Sequence, residues 1–206
     1  MKIICFTTLL LSAVSFAGQV AVNLGPMPEK DSDWLVYDNG SPAWLTWGGT
    51  YRGVWFNMQD FIPGATSATI EQAELWFYHH SEHPWDTSDV YIELWDGDSM
   101  GPTGQLDQQM ATAIHYAPIY IDYDPAITTA DENFWVLANT EMSAGGWPSI
   151  LGDGMQGSVY HSFYSDDFIV WEPWDIGGAC NYFISVYATL NAAFDATTWG
   201  ALKTTF

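Results

Sequence analysis

The stretch Asp89-Val-Tyr-Ile-Glu-Leu-Trp-Asp-Gly-Asp-Ser-Met-Gly-Pro-Thr-Gly-Gln-Leu106 contains the pattern that decides the fold. Apolar residues at positions 90, 92 and 94 alternate with Tyr, Glu and Trp at 91, 93 and 95, which is the period of a β-strand with two different faces. The segments Asp96-Gly-Asp-Ser and Gly101-Pro-Thr-Gly then supply turn-forming residues. We therefore predict a strand, a turn and the start of a second strand, with the domain built around them.

The rest of the chain repeats this arrangement of short extended runs between turn signals. The aromatics in Leu75-Trp-Phe-Tyr favour a strand there over a helix, although Glu71 to Glu74 contains good helix formers. About ten such strands predict an all-β fold, namely an antiparallel two-sheet β-sandwich. A jelly-roll-like closure of the two sheets would cover most of their edge strands. The predicted strands are Trp34–Tyr37, Ala43–Trp47, Tyr51–Phe61, Ala68–His80, Gln109–His115, Ile119–Tyr123, Phe134–Asn139, Ser158–Ser165, Phe168–Trp174 and Asn181–Leu190, besides the opening one.

The first residues, 1–17, are typical of a signal peptide. Lys2 precedes the apolar run Ile3–Val14, and Ser15-Phe-Ala17 has the small-x-small pattern that predicts cleavage before Gly18. The alternative is a membrane anchor, for which the apolar run is too short, and no other stretch is long enough to span a bilayer. We therefore expect export, with the mature protein secreted, extracellular or on the cell surface.

The remaining chain is divided by composition into three parts. Residues 18–33 form a leader, in which Val20–Leu24 is a candidate edge strand, and residues 34–191 form the β-sandwich domain. Residues 192–206 form a tail in which Trp199, Leu202 and Phe206 would share one face of a short helix. A role of this tail as a sorting handle is a hypothesis.

The composition excludes several classes of partner. There are 25 Asp and Glu residues against 4 Lys and Arg, and the net charge of −21 argues against nucleic acid and anionic membranes. The 48% of hydrophobic residues argues against disorder. Because Cys5 lies in the predicted signal peptide, Cys180 is left without a partner, and we predict a buried thiol there. The sequence does not predict an oligomeric state.

Catalysis is not expected, because no catalytic arrangement is evident. Nucleophile, phosphate-loop and dinucleotide motifs are absent. A glycosidase needs two carboxyl groups facing one sugar, about 5–9 Å apart. Glu71 and Glu74 would point to opposite faces of a strand, and Glu93 has no acidic partner on its own strand. A cross-strand partner for Glu93, such as Glu74, stays open.

Two kinds of metal site are considered. His79, His80, Glu82 and His83 would suit zinc, although an exposed polar loop is the favoured interpretation. Calcium prefers oxygen ligands on turns, and we name Asp96 and Asp98 as its candidate ligands, the alternative being that turn carboxylates accept local amide protons. The isolated His115 and His161 are predicted to be satisfied by hydrogen bonds. Further acidic turns are Asp38-Asn39, Asp86, Asp89, Asp153 and Asp166-Asp167.

Tryptophans near loops and strand ends are the candidate ligand-binding residues. Flat rings beside polar groups are what sugar stacking requires, but the same rings could cover the core or form a protein interface. The candidates are Trp44, Trp47, Trp85, Trp147, Trp171 and Trp174.

The order of these features resembles the jelly-roll β-sandwich modules of secreted bacterial surface proteins, over roughly residues 35–191. The resemblance is carried by Tyr91–Asp98, Gly101–Leu106, Phe134–Val136, Gly157–Tyr160 and Tyr182–Val186. Two departures are the turn Gly-Pro-Thr-Gly, where Pro-Gly is usual, and Ser185, where Arg is common. The resemblance implies an exported module of the adhesive or carbohydrate-binding-like kind.

The sequence thus predicts a secreted, non-catalytic β-sandwich module with a structural or adhesive role and a polysaccharide or cell-surface protein as partner. The alternative is a carbohydrate-binding domain that uses exposed Trp residues and is stabilised by calcium. A glycoside hydrolase is the third and least favoured reading.

Overall fold

The computed structural model describes residues 18–129, 131–155 and 157–192. The predicted signal peptide and almost all of the predicted tail, with its helix, lie outside the described residues. Among the described residues, no helix is long and apolar enough to cross a membrane.

The described chain is built from thirteen β-strands and a single 3-10 turn at Met58–Asp60. The strands are β1 Gly18–Ala21, β2 Trp34–Leu35, β3 Pro42–Trp47, β4 Tyr51–Asn57, β5 Ala65–Phe77, β6 Asp89–Asp98, β7 Gly101–Thr112, β8 Ala117–Thr128, β9 Asn133–Asn139, β10 Ile150–Asp153, β11 Ser162–Ser165, β12 Glu172–Pro173 and β13 Ile184–Ala192.

These strands form two sheets whose ladders are antiparallel. Sheet A has the order β1-β3-β10-β5-β13-β2, with β8 also paired to β5. Sheet B has the order β12-β11-β4-β9-β6-β7. The prediction of an all-β, two-sheet antiparallel sandwich is confirmed.

The core lies between the sheets and follows the period of two. On β6, Val90, Ile92 and Leu94 are buried, as the opening pattern predicted. Ile184 and Val186 on β13 are buried on the inner face in the same way. Cys180 is a free and buried thiol, as predicted, and burial raises its pKa to about 11.

Three predicted turns are wrong because strands run through them, and the first is Asp96–Asp98, which belongs to β6. Gly101–Gly104 belongs to β7, so the turn after β6 is only Ser99-Met100. Gly97 is what allows this, since a Cβ there would collide with the carbonyl oxygen of Gly101 on the paired strand. The Asp124-Pro125 dipeptide, predicted to end a strand, lies inside β8, where a register shift against β5 absorbs it.

The predicted strand Phe168–Trp174 is also wrong. Only Glu172–Pro173 is extended, and residues 166–171 form a loop that crosses the outer face of sheet B. The Asp167 carboxylate accepts the amide protons of Ile169 and Val170, at 2.8 and 3.0 Å, which bends the chain. The aromatic pattern that suggested a strand comes from Phe168 and Trp171, which pack down onto the sheet.

Candidate functional site

The outer face of sheet A carries an open groove of about 920 Å³. The leader forms one wall, because its apolar residues pack against Leu45, Leu151 and Phe183 on the outer side of this sheet. Strands β5, β8 and β13 contribute the floor. The groove is lined by Pro26–Asp31, Trp34, Val36, Asp38–Ser41, Glu74, Trp76, Pro118, Tyr120, Phe183 and Ser185.

Four aromatic side chains line this groove, the buried Phe183 and the rings of Trp34, Trp76 and Tyr120, and the sequence did not single them out. Trp34 and Trp76 are half-buried, and Tyr120 is 50% exposed. Both tryptophans lie in predicted strands, where a tryptophan is typical of a packed sheet. The signal that could have found Trp76 is its spacing from Glu74, since positions two apart on a strand share a face.

A charged cluster lies beside these rings. Glu74 is 5% exposed and sits 2.5 Å from the Lys30 ammonium, while the Trp76 indole N–H donates to the same carboxylate. The Lys30 ammonium also lies 4.1 Å from the centre of the Trp34 ring. Burial raises the pKa of Asp38 to about 6, and Lys30 opposes that rise. The groove thus combines ring faces with hydrogen-bond acceptors.

A second buried acid anchors the groove wall. Asp153 has no exposed surface, and its carboxylate accepts the amide protons of Asn39 and Asn181, at 3.2 and 2.7 Å. Burial raises its pKa to about 7. Asp153 therefore ties the turn at residues 38–41 to the sheet behind it.

The outer face of sheet B is closed by comparison. Glu93 is 2% exposed and accepts hydrogen bonds from Trp95 Nε1, Gln108 Nε2 and Asn139 Nδ2, at 2.7, 2.8 and 2.7 Å. The Phe168 ring in the 166–171 loop packs 4.7 Å from the Trp95 ring. Because Glu74 is on sheet A and Glu93 on sheet B, the cross-strand pair that the sequence left open is not formed.

The histidine-rich connection between β5 and β6 lies away from the groove lining. The ligating atoms of His80, Glu82 and His83 all lie within 4.8 Å of one another. His79 is exposed, and its backbone N–H donates to His115 Nδ1 at 3.1 Å. The isolated histidines behave as predicted, since His115 accepts that bond and His161 Nδ1 lies 3.3 Å from the Trp55 carbonyl oxygen.

The six predicted tryptophans are not gathered on one surface. Their ring contacts join one pair of the six, Trp47 and Trp147, with centroids 5.1 Å apart. Trp44 and Trp85 are half-buried against the main core, and Trp171 covers Trp135. Trp174 is 2% exposed and stacks on Tyr182 in the core. A role of these six in ligand binding stays a prediction.

The two predicted calcium ligands lie at the end of β6. Asp98 is exposed, and its carboxylate accepts the amide proton of Met100 at 2.8 Å, as the alternative reading of turn carboxylates expects. Asp96 is half-buried on the same strand. Calcium binding at Asp96 and Asp98 stays a prediction.

No protein-family model matches the chain, and no curated protein or solved structure gives a match either. The groove on sheet A and the side chains around it are therefore the basis for a functional inference.

Proposed function

We propose that the chain is an exported, non-catalytic β-sandwich module of the jelly-roll-like kind that acts in adhesion at the cell surface or outside the cell. Its ligand is a glycan chain held in the groove on sheet A. The observation that carries the proposal is the open groove in which Trp34, Trp76 and Tyr120 lie beside carboxylates.

The chemistry of the groove suits a sugar. The apolar faces of a pyranose stack on aromatic rings, and its hydroxyls donate to carboxylate and carbonyl oxygens. Tyr120 offers an exposed ring, and Glu74 and Asp38 offer acceptors next to the two tryptophans. An open groove, unlike a closed pocket, can accommodate a chain that continues in both directions.

The charge of the groove narrows the class of glycan. Glu29, Asp31, Asp38 and Glu74 line it together with a single cation, Lys30. With a net charge of −21 over the whole chain, an acidic polysaccharide would be repelled. A neutral or amino-sugar polymer is the expected ligand.

The carboxylates favour binding over hydrolysis. Glu74 is paired with Lys30 through Oε1, and the same oxygen already accepts the Trp76 N–H. Glu93, on the other sheet, accepts three hydrogen bonds under a covering loop. Neither is presented as a free nucleophile or base.

Glycoside hydrolysis is the second candidate function, and one observation favours it. Asp38 lies in the same groove as Glu74, and its pKa, raised to about 6 mainly by burial, is that of a carboxyl group able to donate a proton near neutral pH. Release of reducing ends from a bound polysaccharide, lost in Asp38→Asn, would establish this function in place of the first.

The test is retention of the full exported chain on insoluble neutral, amino and acidic polysaccharides. Trp34→Ala should weaken binding at least about tenfold, as loss of a central aromatic contact does. Trp171→Ala is the matched control, since this ring lies on sheet B, and it should bind as the parent does. Absence of binding to every polysaccharide, or equal losses in both variants, would reject the groove as the site.

Calcium is tested in the same assay. We propose that any calcium requirement arises at Asp96 and Asp98, so binding and melting temperature should fall in a chelator and in Asp98→Asn alike. A chelator without effect on either quantity would remove calcium from the proposal.

A further inference from the structure

We propose that His80, Glu82 and His83 bind one divalent transition-metal ion of the zinc class. The three residues share nothing with the lining of the sheet A groove, so this site is independent of the proposed glycan binding.

The backbone places the two imidazoles side by side. The His83 N–H donates to the His80 carbonyl oxygen at 3.0 Å, which closes a tight turn between β5 and β6. The two rings then have centroids 5.3 Å apart, and the ligating atoms of all three side chains lie within 4.8 Å of one another. Neighbouring ligands of a tetrahedral zinc ion are roughly 3.3 Å apart, so small side-chain rotations are enough to close the site.

Packing holds one of the ligands in place. The His83 ring lies 4.4 Å from the Trp47 ring, and Trp47 in turn stacks on Trp147 at 5.1 Å. The two glycine loops beneath these rings touch, since a Cβ on Gly146 would come within 2.7 Å of the Gly48 backbone. An imidazole packed in this way loses little further freedom when it binds a metal, whereas one on a solvated turn loses all of it.

The donor set selects the ion. Two imidazole nitrogens and one carboxylate suit Zn²⁺, Co²⁺, Ni²⁺ and Cu²⁺, whereas Ca²⁺ and Mg²⁺ prefer oxygen ligands alone. Three protein ligands leave a coordination position for water, as in zinc sites that are not purely structural. Binding costs one hydrogen bond of 3.2 Å, from the Glu82 N–H to His80 Nδ1, which is a small loss beside two metal–nitrogen bonds.

The experiment is calorimetric titration of the full exported chain with Zn²⁺, repeated with Co²⁺ to record its visible absorption. We expect one Zn²⁺ ion per chain and cobalt bands that report nitrogen ligands, and any heat recorded with Ca²⁺ should be unchanged in His83→Ala. His83→Ala should weaken Zn²⁺ binding at least about 100-fold, the upper end of what even an indirect metal partner contributes.

Two further variants keep the test decisive. Glu82→Gln changes an exposed side chain that the fold does not need, so its loss of affinity cannot come from misfolding. His79→Ala is the matched control, because this exposed histidine packs by Trp85 at 5.0 Å and lies outside the ligand trio. Absence of Zn²⁺ binding at millimolar concentration, or an equal loss in His79→Ala, would overturn the proposal.

Discussion

The triplet Glu-Leu-Trp occurs twice in the chain, once in each sheet. Glu74-Leu-Trp76 lies in β5 of sheet A, and Glu93-Leu-Trp95 lies in β6 of sheet B. In both triplets the leucine is in the core with no exposed surface, and the glutamate is 5% or 2% exposed on the outer face. In both, the indole N–H of the tryptophan donates to the glutamate two residues before it.

The two triplets differ in what covers them. Glu93 is surrounded by the neutral donors of Gln108 and Asn139 and lies under the closed 166–171 loop. Glu74 instead faces the leader, where Lys30 pairs with it and the groove stays open.

The same local sequence therefore serves as framework on one sheet and as part of a candidate binding surface on the other. The difference lies in the segment that covers each triplet, which is the leader at Glu74 and the 166–171 loop at Glu93. Both segments are distant along the chain from the triplet that they cover.

Exchange of each glutamate for glutamine gives the sharpest test of this contrast. In Glu93→Gln the new amide N–H₂ must face one of three buried donors, and we expect a loss of about 2–4 kcal/mol in the free energy of unfolding. In Glu74→Gln the amide can turn towards the open groove, and the expected loss is about 1 kcal/mol. Urea denaturation of both variants measures the difference in the free energy of unfolding. Equal losses would show that the leader and the 166–171 loop surround their glutamates in equivalent ways.

Removal of the ring that seals sheet B should have the next largest effect. Trp171 is half-buried and packs 5.1 Å from the fully buried Trp135, so Trp171→Ala should cost about 2 kcal/mol of stability. The corresponding change in the groove, Trp34→Ala, should cost less, because its ring packs against the half-buried Tyr187 ring, at 5.6 Å, rather than against a fully buried one. If Trp34→Ala proved the more damaging to stability, Trp34 would be a framework residue.

The inner face of the sandwich was predictable, and the outer faces were not. Burial of one face leaves a period of two in the sequence, which placed Val90, Ile92 and Leu94 in the core. The order of strands and the segments that cover them depend on packing between residues far apart in the chain, which leaves no local pattern. The strand prediction for Phe168–Trp174 is wrong for this reason, since the aromatics Phe168 and Trp171 pack onto a sheet without being part of it.

The candidate site was missed for the same reason. A tryptophan in a strand is typical of a packed sheet, and nothing local shows that the leader leaves Trp34 and Trp76 beside an open groove. The sequence did single out the histidine run, although it favoured an exposed loop over a metal site, because these residues are adjacent in the chain and one turn brings His80, Glu82 and His83 together.

The buried acids on the sheet A side should make stability depend on pH. Burial raises the pKa of Asp153 to about 7 and that of Asp38 to about 6, whereas an unfolded aspartate titrates near 3.9. Between about pH 4 and 7 the folded chain binds more protons than the unfolded chain, so the free energy of unfolding falls as the pH rises. We expect the free energy of unfolding to be lower at pH 8 than at pH 5 by at least about 1 kcal/mol.

Asp153→Asn provides the control for this effect. The overall charge of the chain also varies with pH, but that contribution is nearly the same in the variant, so the difference in pH dependence isolates Asp153. Urea midpoints at pH 5 and 8 should differ less in Asp153→Asn than in the parent. A parent chain that becomes more stable as the pH rises would contradict the assignment.

The smallest effect is expected from the single cation of the groove. Lys30→Met keeps the aliphatic stem and removes the charge that pairs with Glu74 and lies over Trp34, at an expected cost of about 0.5–1 kcal/mol. Its clearer readout is the pKa of Asp38, which Lys30 lowers and Glu74 raises. Followed by carbon NMR of the carboxyl group, this pKa should rise above its parent value in Lys30→Met and fall in Glu74→Gln. The two opposite shifts would show that the charges of Lys30 and Glu74 both act on the Asp38 carboxyl group in the groove. An unchanged pKa in both variants would mean that burial alone sets the pKa of Asp38.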